Sequence, residues 1–408
     1  MCGDESLIIN YLLLVYTSMT HRNTFSLYGS LLTFFLILDT GLSTEYQWSA
    51  NIRSRWKSDT SPLVGPGSVS TIYEMRSRIG FYLLNGPISA NFILQDSRIL
   101  GAEDNYAGVA NTTVSSFFHQ AYFNFPYRDQ LIQIGRFELP LGKQRIMSKN
   151  NWNNVGRSFE GVLIKEKLPF GEILIFSLPT IESKDTYHND QKDTWLNGIY
   201  IKHGLSSLNN GSIAEIYSMD FQDSISTLSY STYGTRVEAG IRTLTLESEY
   251  ALQTSKKISA NLASVNLGYK PEIDGFVKNI WLGYDFISGD DTSTVEMEGF
   301  SKYFGAGHKY HGFYDYIRHK KFMDHAHEGL REFNLKWNLD FLFETNLLVA
   351  LHYFNSGDGN THYGQEMDLI FKKIIFDGIS LEQGFALYRP DNDDSIFSFV
   401  YLMLTASL

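Results

Sequence analysis

Arg53, Arg55, Arg76, Arg78, Arg98, Arg136, Arg145 and Arg157 recur through the first half of the chain, accompanied by Lys57 and by two carboxylates, Glu74 and Glu138. Guanidiniums at that density do electrostatic work. They lower the barrier an anion meets when it sheds water to enter a narrow passage, provided each contact is weak enough to let it go. The plainer reading is that the same arginines pair with Glu74 and Glu138 and only brace the structure. Covalent chemistry has little to stand on. His119 and His352 lie in no nucleophile motif, and the single cysteine, Cys2, excludes an intrachain disulfide and a cysteine zinc site. No enzyme activity is expected.

Two further groups have ligand chemistry. His319, His325 and His327 stand with Asp324 and Glu328, but the spacing matches no zinc signature, and a solvated loop is expected there. Asp285, Asp290 and Asp291 offer oxygen ligands suited to Ca²⁺ without the fixed loop spacing that would make a site specific. No cofactor is expected, with Ca²⁺ in the outer loops as the only ion worth considering.

The elements that carry the arginines are legible from parity. In Tyr46–Lys57, Tyr46, Trp48, Ala50, Ile52 and Trp56 share one face, while Gln47, Ser49, Asn51, Arg53, Arg55 and Lys57 share the other. Only a β-strand sends successive side chains to opposite sides. Phe333, Leu335, Trp337, Leu339 and Phe341 alternate with Glu332, Asn334, Lys336, Asn338 and Asp340 in the same way. So do Leu244, Leu246 and Tyr250 against Thr243, Thr245, Glu247 and Glu249. Some runs break the rule. Ile132 and Ile134 share parity with Arg136 and Glu138, and Phe92 and Leu94 share it with Asp96 and Arg98, which calls for a bulge or a locally apolar interior. Parity places His119 and His352 on apolar faces.

Aromatic residues make up 15% of the chain, enough for interfacial girdles, while mean hydropathy is −0.18, too polar for a bundle of membrane helices. Two-faced strands of this kind predict an all-β fold: a single transmembrane antiparallel up-and-down barrel with lipid outside and water within. Asn85-Gly86-Pro87 and Phe376-Asp377-Gly378 read as tight turns; Ser58–Ser70, Ser183–Thr194, Ser288–Gly299 and Pro390–Ser395 read as longer outer loops. At about 20–22 residues per strand and connection, roughly 16–18 strands are expected, wide enough for an open channel. The last strand, Ile396–Leu408, keeps Val400, Leu402, Leu404, Ala406 and Leu408 on one apolar face.

Residues 1–43 are expected to hold an N-terminal extension and a signal peptide, with residues 44–408 forming the barrel. Phe25–Leu38 is an apolar run of signal length, Gly41-Leu42-Ser43 gives a small-x-small cleavage pattern, and Asp4 and Glu5 suggest that translation starts at Met19. The net charge of −11 does not oppose an anion pathway, since a pore selects by its constriction. Acidic Glu247, Glu249, Glu366 and Asp368 lie on later strands, so a basic wall is expected to face an acidic one.

The block Phe117–Val162 resembles the alginate-export family of outer-membrane barrels. Its signature elements are Gly135-Arg136-Phe137-Glu138-Leu139, Gly142-Lys143-Gln144-Arg145 and Trp152-Asn153-Asn154-Val155-Gly156-Arg157-Ser158-Phe159-Glu160-Gly161. Phe137 replaces the usual Gln and Glu160 the usual Asp. Arg76-Ser77-Arg78 with Gln95-Asp96-Ser97-Arg98 resembles the family's second and third strands, Thr232–Arg236 and Glu249–Gln253 its middle, and Gly283-Tyr284-Asp285, Ser288-Gly289-Asp290, His308–Gly312 and Asp315 its later loop region, in order. The resemblance implies a channel in the bacterial outer membrane for passive passage of an anionic polysaccharide, alginate in the best-known branch. Its partners would be outer-membrane lipid, the polysaccharide and periplasmic export proteins, with no nucleic acid. A general or anion-selective diffusion porin for small metabolites is the alternative, and a barrel hydrolase a remote one.

Overall fold

A computed structural model describes residues 45–60, 69–100, 115–181, 193–205, 211–224, 228–272, 275–302, 304–315, 325–391 and 395–408. The proposed leader, Cys2, His319 and Asp324 lie outside them. Eighteen strands follow one another: β1 (Glu45–Asp59), β2 (Ser70–Asn85), β3 (Ile88–Ile99), β4 (Ser115–Tyr127), β5 (Gln130–Phe137), β6 (Phe159–Leu168), β7 (Gly171–Ile181), β8 (Thr194–Gly204), β9 (Ile213–Asp223), β10 (Tyr230–Ile241), β11 (Leu244–Thr254), β12 (Ser259–Tyr269), β13 (Val277–Ile287), β14 (Leu330–Phe341), β15 (Thr345–Asn355), β16 (His362–Phe376), β17 (Ile379–Pro390) and β18 (Phe397–Ser407). Each pairs antiparallel with its sequence neighbours, and β1 pairs with β18, so one sheet closes on itself without an edge. The count agrees with the sequence expectation, and among the described residues no helix is long and apolar enough to cross a membrane.

Parity sets the two faces as expected on β1, β11 and β14. Tyr46, Trp48, Ile52, Leu244, Leu246, Tyr250 and Phe333 point outward, while Arg53, Arg55, Glu249, Glu332 and Asn334 are buried inside. The turns are tight at one end. Gly378 has φ +75°, a conformation open to glycine, and its Cβ would meet the Ser407 carbonyl oxygen at 2.4 Å. At the other end, among the described residues, two connections fold back into the barrel: 138–158, between β5 and β6, and 288–302 with 304–315 and 325–329, between β13 and β14.

The irregular runs each have a physical cause. The β3–β4 register shifts at Ile93/Leu94, where Ile93 pairs with Gln120 and Leu94 with Phe118. This bulge turns His119 and Gln120 both inward and reverses the parity that had grouped His119 with apolar neighbours. His352 is also lumenal, buried beside Ala350 and Phe354, while Leu351 and Tyr353 face outward. Both faces of β15 are apolar, so alternation there carries no direction. Around β5–β9 the interior itself is apolar: Phe137, Phe159, Leu163, Phe176, Leu178, Leu196 and Met219 pack against Leu139, Leu141 and Met147 of the first loop. Each such side chain contributes about 1.5–3 kcal/mol when fully buried, so this wall anchors the base of that loop.

Candidate functional site

The first loop is held from β1 and β2 by its own carbonyl oxygens. Arg53 donates to the carbonyls of Asn151 (2.7 Å) and Asn153 (2.9 Å), and Arg55 to that of Trp152 (2.8 Å). Arg76 adds a bond to Asn151 at 3.2 Å, and the Ser97 hydroxyl reaches the Asn154 carbonyl at 2.9 Å. A guanidinium offers five donors in a fixed fork, so one side chain can hold several carbonyls of a turn at once. Carboxylates then orient the arginines. Glu74 accepts from Arg55 Nε (2.9 Å) and from Lys57 (2.5 Å), and Glu138 gathers Arg78, His119 and Lys149 at 3.6, 2.8 and 3.4 Å. The Arg55 guanidinium also lies 4.2 Å above the Trp152 ring.

The remaining arginines diverge. Arg145 and Arg157 enter on the loop itself. Arg145 crosses to the far wall, 2.8 Å from Asp285 on β13 and 3.6 Å from Glu249 on β11, and Arg157 donates to the Phe304 carbonyl. Burial disfavours the Arg145 charge, yet Asp285, then Tyr310 and Glu249, hold its pKa above the ordinary range. Arg98 and Arg136 are not brought to the group. Arg98 pairs with Asp96 two residues away, on the outward parity of β3, and Arg136 pairs with Glu160 in register across β5–β6, on the parity of Ile132 and Ile134. Both are partly exposed. They sit near the C-terminal ends of β3 and β5, where charge on the outer face still reaches water.

The second loop is held from the opposite wall by acceptors. Glu366 on β16 accepts the Tyr314 N–H (2.9 Å) and Asp368 the Phe313 N–H (3.3 Å). Gly312 has φ +81°, and a Cβ there would lie 2.2 Å from the Glu366 carboxylate, so only glycine lets the backbone approach this closely. His311 Nδ1 is 2.5 Å from Glu332, whose other oxygen lies 2.6 Å from His352 Nδ1. His352 Nε2 reaches Asp368 at 3.3 Å, an ion-pair distance rather than a well-aligned hydrogen bond. Lys302 Nζ closes the chain 2.8 Å from His311 Nε2. Burial, and then the Lys302 ammonium, push the His311 pKa down to about 4 in spite of Glu332.

Asp285, His311 and Glu332 bring ligand atoms within 4.8 Å of one another. Arg145 pairs with Asp285 Oδ2, Lys302 with His311 Nε2, and His311 and His352 with the two oxygens of Glu332, so the geometry is that of an ion-paired network. Asp290 and Asp291 do not join Asp285. They accept the N–H groups of Glu298 and Ser293 within their own loop. The expectation of a solvated His325/His327 loop is corrected: both rings are buried, against the Gly299 carbonyl (2.7 Å) and the Phe300 carbonyl (3.1 Å).

The two loops meet in the lumen. The Trp152 and His308 rings stack with centroids 3.6 Å apart, Ser148 N–H donates to Phe304 O (2.9 Å), Ala306 N–H donates to Gln144 O (3.0 Å), and Lys309 Nζ reaches Lys143 O (3.0 Å). Below them lies a cavity of about 540 Å³ between the loops and the inner faces of β11–β15. None of the loop contacts was visible in the sequence, because most of the partners are backbone groups. The inward pair of Glu332 with His352 was missed too, although Glu332 lies in the readable strand β14, because both faces of β15 are apolar.

The sequence pattern of the family described as Alginate export matches residues 45–368, most of the chain. The chain belongs to the alginate-export family. A search of curated proteins gave no match. Among solved structures, this member of the alginate-export family is similar to OccK9 (OpdG) of Pseudomonas aeruginosa, with a TM-score of 0.62, 11% identity, and 89% of this chain and 98% of that one covered. OccAB4 of Acinetobacter baumannii (TM-score 0.59, 14% identity, 89% and 98% covered) is also similar. So is P. aeruginosa OccK2 (OpdF) in complex with glucuronate (0.59, 11%, 89% and 98%). These likenesses establish the barrel fold. Family and fold together place the alginate-export chain in the bacterial outer membrane, as a channel of the porin type.

Proposed function

We propose that the channel passes anionic saccharides by passive diffusion, with an alginate-like polysaccharide as its exported cargo and periplasmic export proteins as its partners. The observation that carries this reading is the bonding of Arg53 and Arg76. Both donate to the carbonyl oxygens of Asn151 and Asn153, which hold a guanidinium in place without neutralising it. Fixed positive charge would therefore remain in the lumen beside the constriction, with Lys309 on the second loop. A carboxylated chain sliding past would meet an attractive field and few specific contacts. The acidic wall of β13–β16 is engaged by the second loop, which leaves less of its charge facing the passage.

A second reading, an anion-preferring porin for small solutes, is favoured by the stacking of Trp152 on His308, which joins the two loops inside the lumen. Reversal potentials in planar bilayers test the shared element: anion preference is expected, and strong cation preference contradicts both readings. Liposome swelling then separates them. Uronate oligomers should permeate faster than neutral sugars of equal length if the polymer reading holds, and permeation confined to small solutes supports the second.

A further inference from the structure

We infer that the cavity beneath the two loops is a saturable binding site for a single sugar-acid unit, an inference that rests on reading the channel as one for anionic saccharides. Its volume, about 540 Å³, falls in the range of roughly 300–1,000 Å³ typical of small-molecule sites. Three features of its floor select the ligand.

The first is an aromatic platform. Trp281 on β13 faces the lumen and lines the cavity. One face of its indole lies over Gly268 on β12, where an added Cβ would meet ring carbons at 2.7–2.8 Å. Glycine at that position lets the ring lie flat against the wall and turn its other face to the cavity. The indole N–H is engaged by the Asn279 side chain at 3.1 Å, which fixes the ring. A fixed, flat apolar face suits the C–H side of a pyranose ring.

The second is a set of amides. Asn266, Asn334 and Asn338 border the same space, and Asn338 donates to Asn279 at 2.5 Å. Each carboxamide both donates and accepts, the pattern that complements a hydroxyl, which does the same. An aromatic or aliphatic acid without hydroxyls would leave them unused.

The third is an uncommitted cation. Lys336 is the ladder partner of Trp281, so its ammonium stem rises beside the indole. It makes no ion pair with another described residue, whereas Arg145 and Lys149 on the cavity wall are each bound to carboxylates and Lys309 is held by the Lys143 carbonyl. A ring seated on Trp281 would place its carboxylate within reach of Lys336.

The test is equilibrium titration of the detergent-solubilised, folded barrel with D-glucuronate, D-glucose and benzoate, read by calorimetry. Glucuronate should bind saturably with one site per chain, glucose at least tenfold more weakly, and benzoate more weakly still. Trp281→Ala should weaken glucuronate about tenfold, and Lys336→Gln should bring glucuronate down to the level of glucose, each variant checked for folding by heat-dependent gel mobility. Absence of saturation, equal binding of benzoate, or a Lys336→Gln variant that still prefers glucuronate would overturn the site. Conductance in KCl is recorded separately. A barrel that binds glucuronate as stated but passes no current overturns the channel reading alone.

Discussion

On β1 and β2 the first loop is held by donors, the guanidiniums of Arg53, Arg55 and Arg76 pointing at the carbonyls of Asn151–Asn153. On β14 and β16 the second loop is held by acceptors, with Glu366 and Asp368 receiving N–H groups and Glu332 receiving His311. The difference matters because guanidiniums keep their charge at every pH a protein survives, whereas carboxylate and imidazole partners titrate. The basic clamp is therefore indifferent to pH, and the acidic one is a latch that acid can open. Of the arginines the sequence groups into one wall, Arg53, Arg55 and Arg76 hold the first loop, while Arg98 and Arg136 pair on the outer face; on the function proposed above, the charge of Arg53 and Arg76 is what a passing anion would feel.

The largest effect expected from breaking one side of this comparison is that of Arg55→Ala. It removes the bond to Trp152, the stacking on its ring and two of the contacts of Glu74, leaving a buried carboxylate with Lys57 alone. Loss of one partner of a buried pair costs about 3–5 kcal/mol, read as a lower urea midpoint for loss of the folded gel band. A midpoint within error of the wild type would show that the clamp contributes nothing.

Acidification sharpens the contrast. Docked His311 has its pKa at about 4, lowered by burial and Lys302 against the pull of Glu332 and Asp285. In a released loop it would titrate near the ordinary value of about 6.5. Between those values the released state takes up a proton that the docked state refuses, so docking is complete above about pH 6.5 and weakens as pH falls toward 4. Hydrogen exchange should accelerate in residues 304–315 between pH 7.5 and 5, after correction for the intrinsic rate, and stay constant in residues 150–154. Equal change in both segments, or in neither, would remove the distinction.

The smallest effect is at the seam between the loops. Trp152→Leu loses the ring stacking on His308 and should cost about 0.5–1.5 kcal/mol, visible as a modest rise in exchange in both loops. Confinement of that rise to one loop would mean the seam does not couple them.

How much of this was readable in advance follows from where information sits in a chain. β1 announced its faces because each parity has one character, Tyr46-Trp48-Ile52 against Arg53-Arg55-Lys57. β4 and β15 did not, since Leu347–Phe354 is largely apolar on both parities and, in β4, a one-residue bulge at His119 changes the face without changing composition. Arg98 and Arg136 carry the same residue type as Arg53 yet point the other way, beside Asp96 and Glu160. Their parity with Leu94 and Ile134 already signalled it. The docking of the loops was silent, because the groups that Arg53 and Glu366 hold belong to the backbone, which every residue carries alike.

The most direct measurement is the single-channel conductance of an Arg53→Ala/Arg76→Ala variant in KCl, compared with the wild type in the same bilayer. If these arginines hold the first loop across the lumen, removing them frees residues 150–154 and conductance rises, with more frequent switching between levels. Conductance that is unchanged or lower, with anion preference lost, would mean that the two side chains line an open path and hold nothing in place.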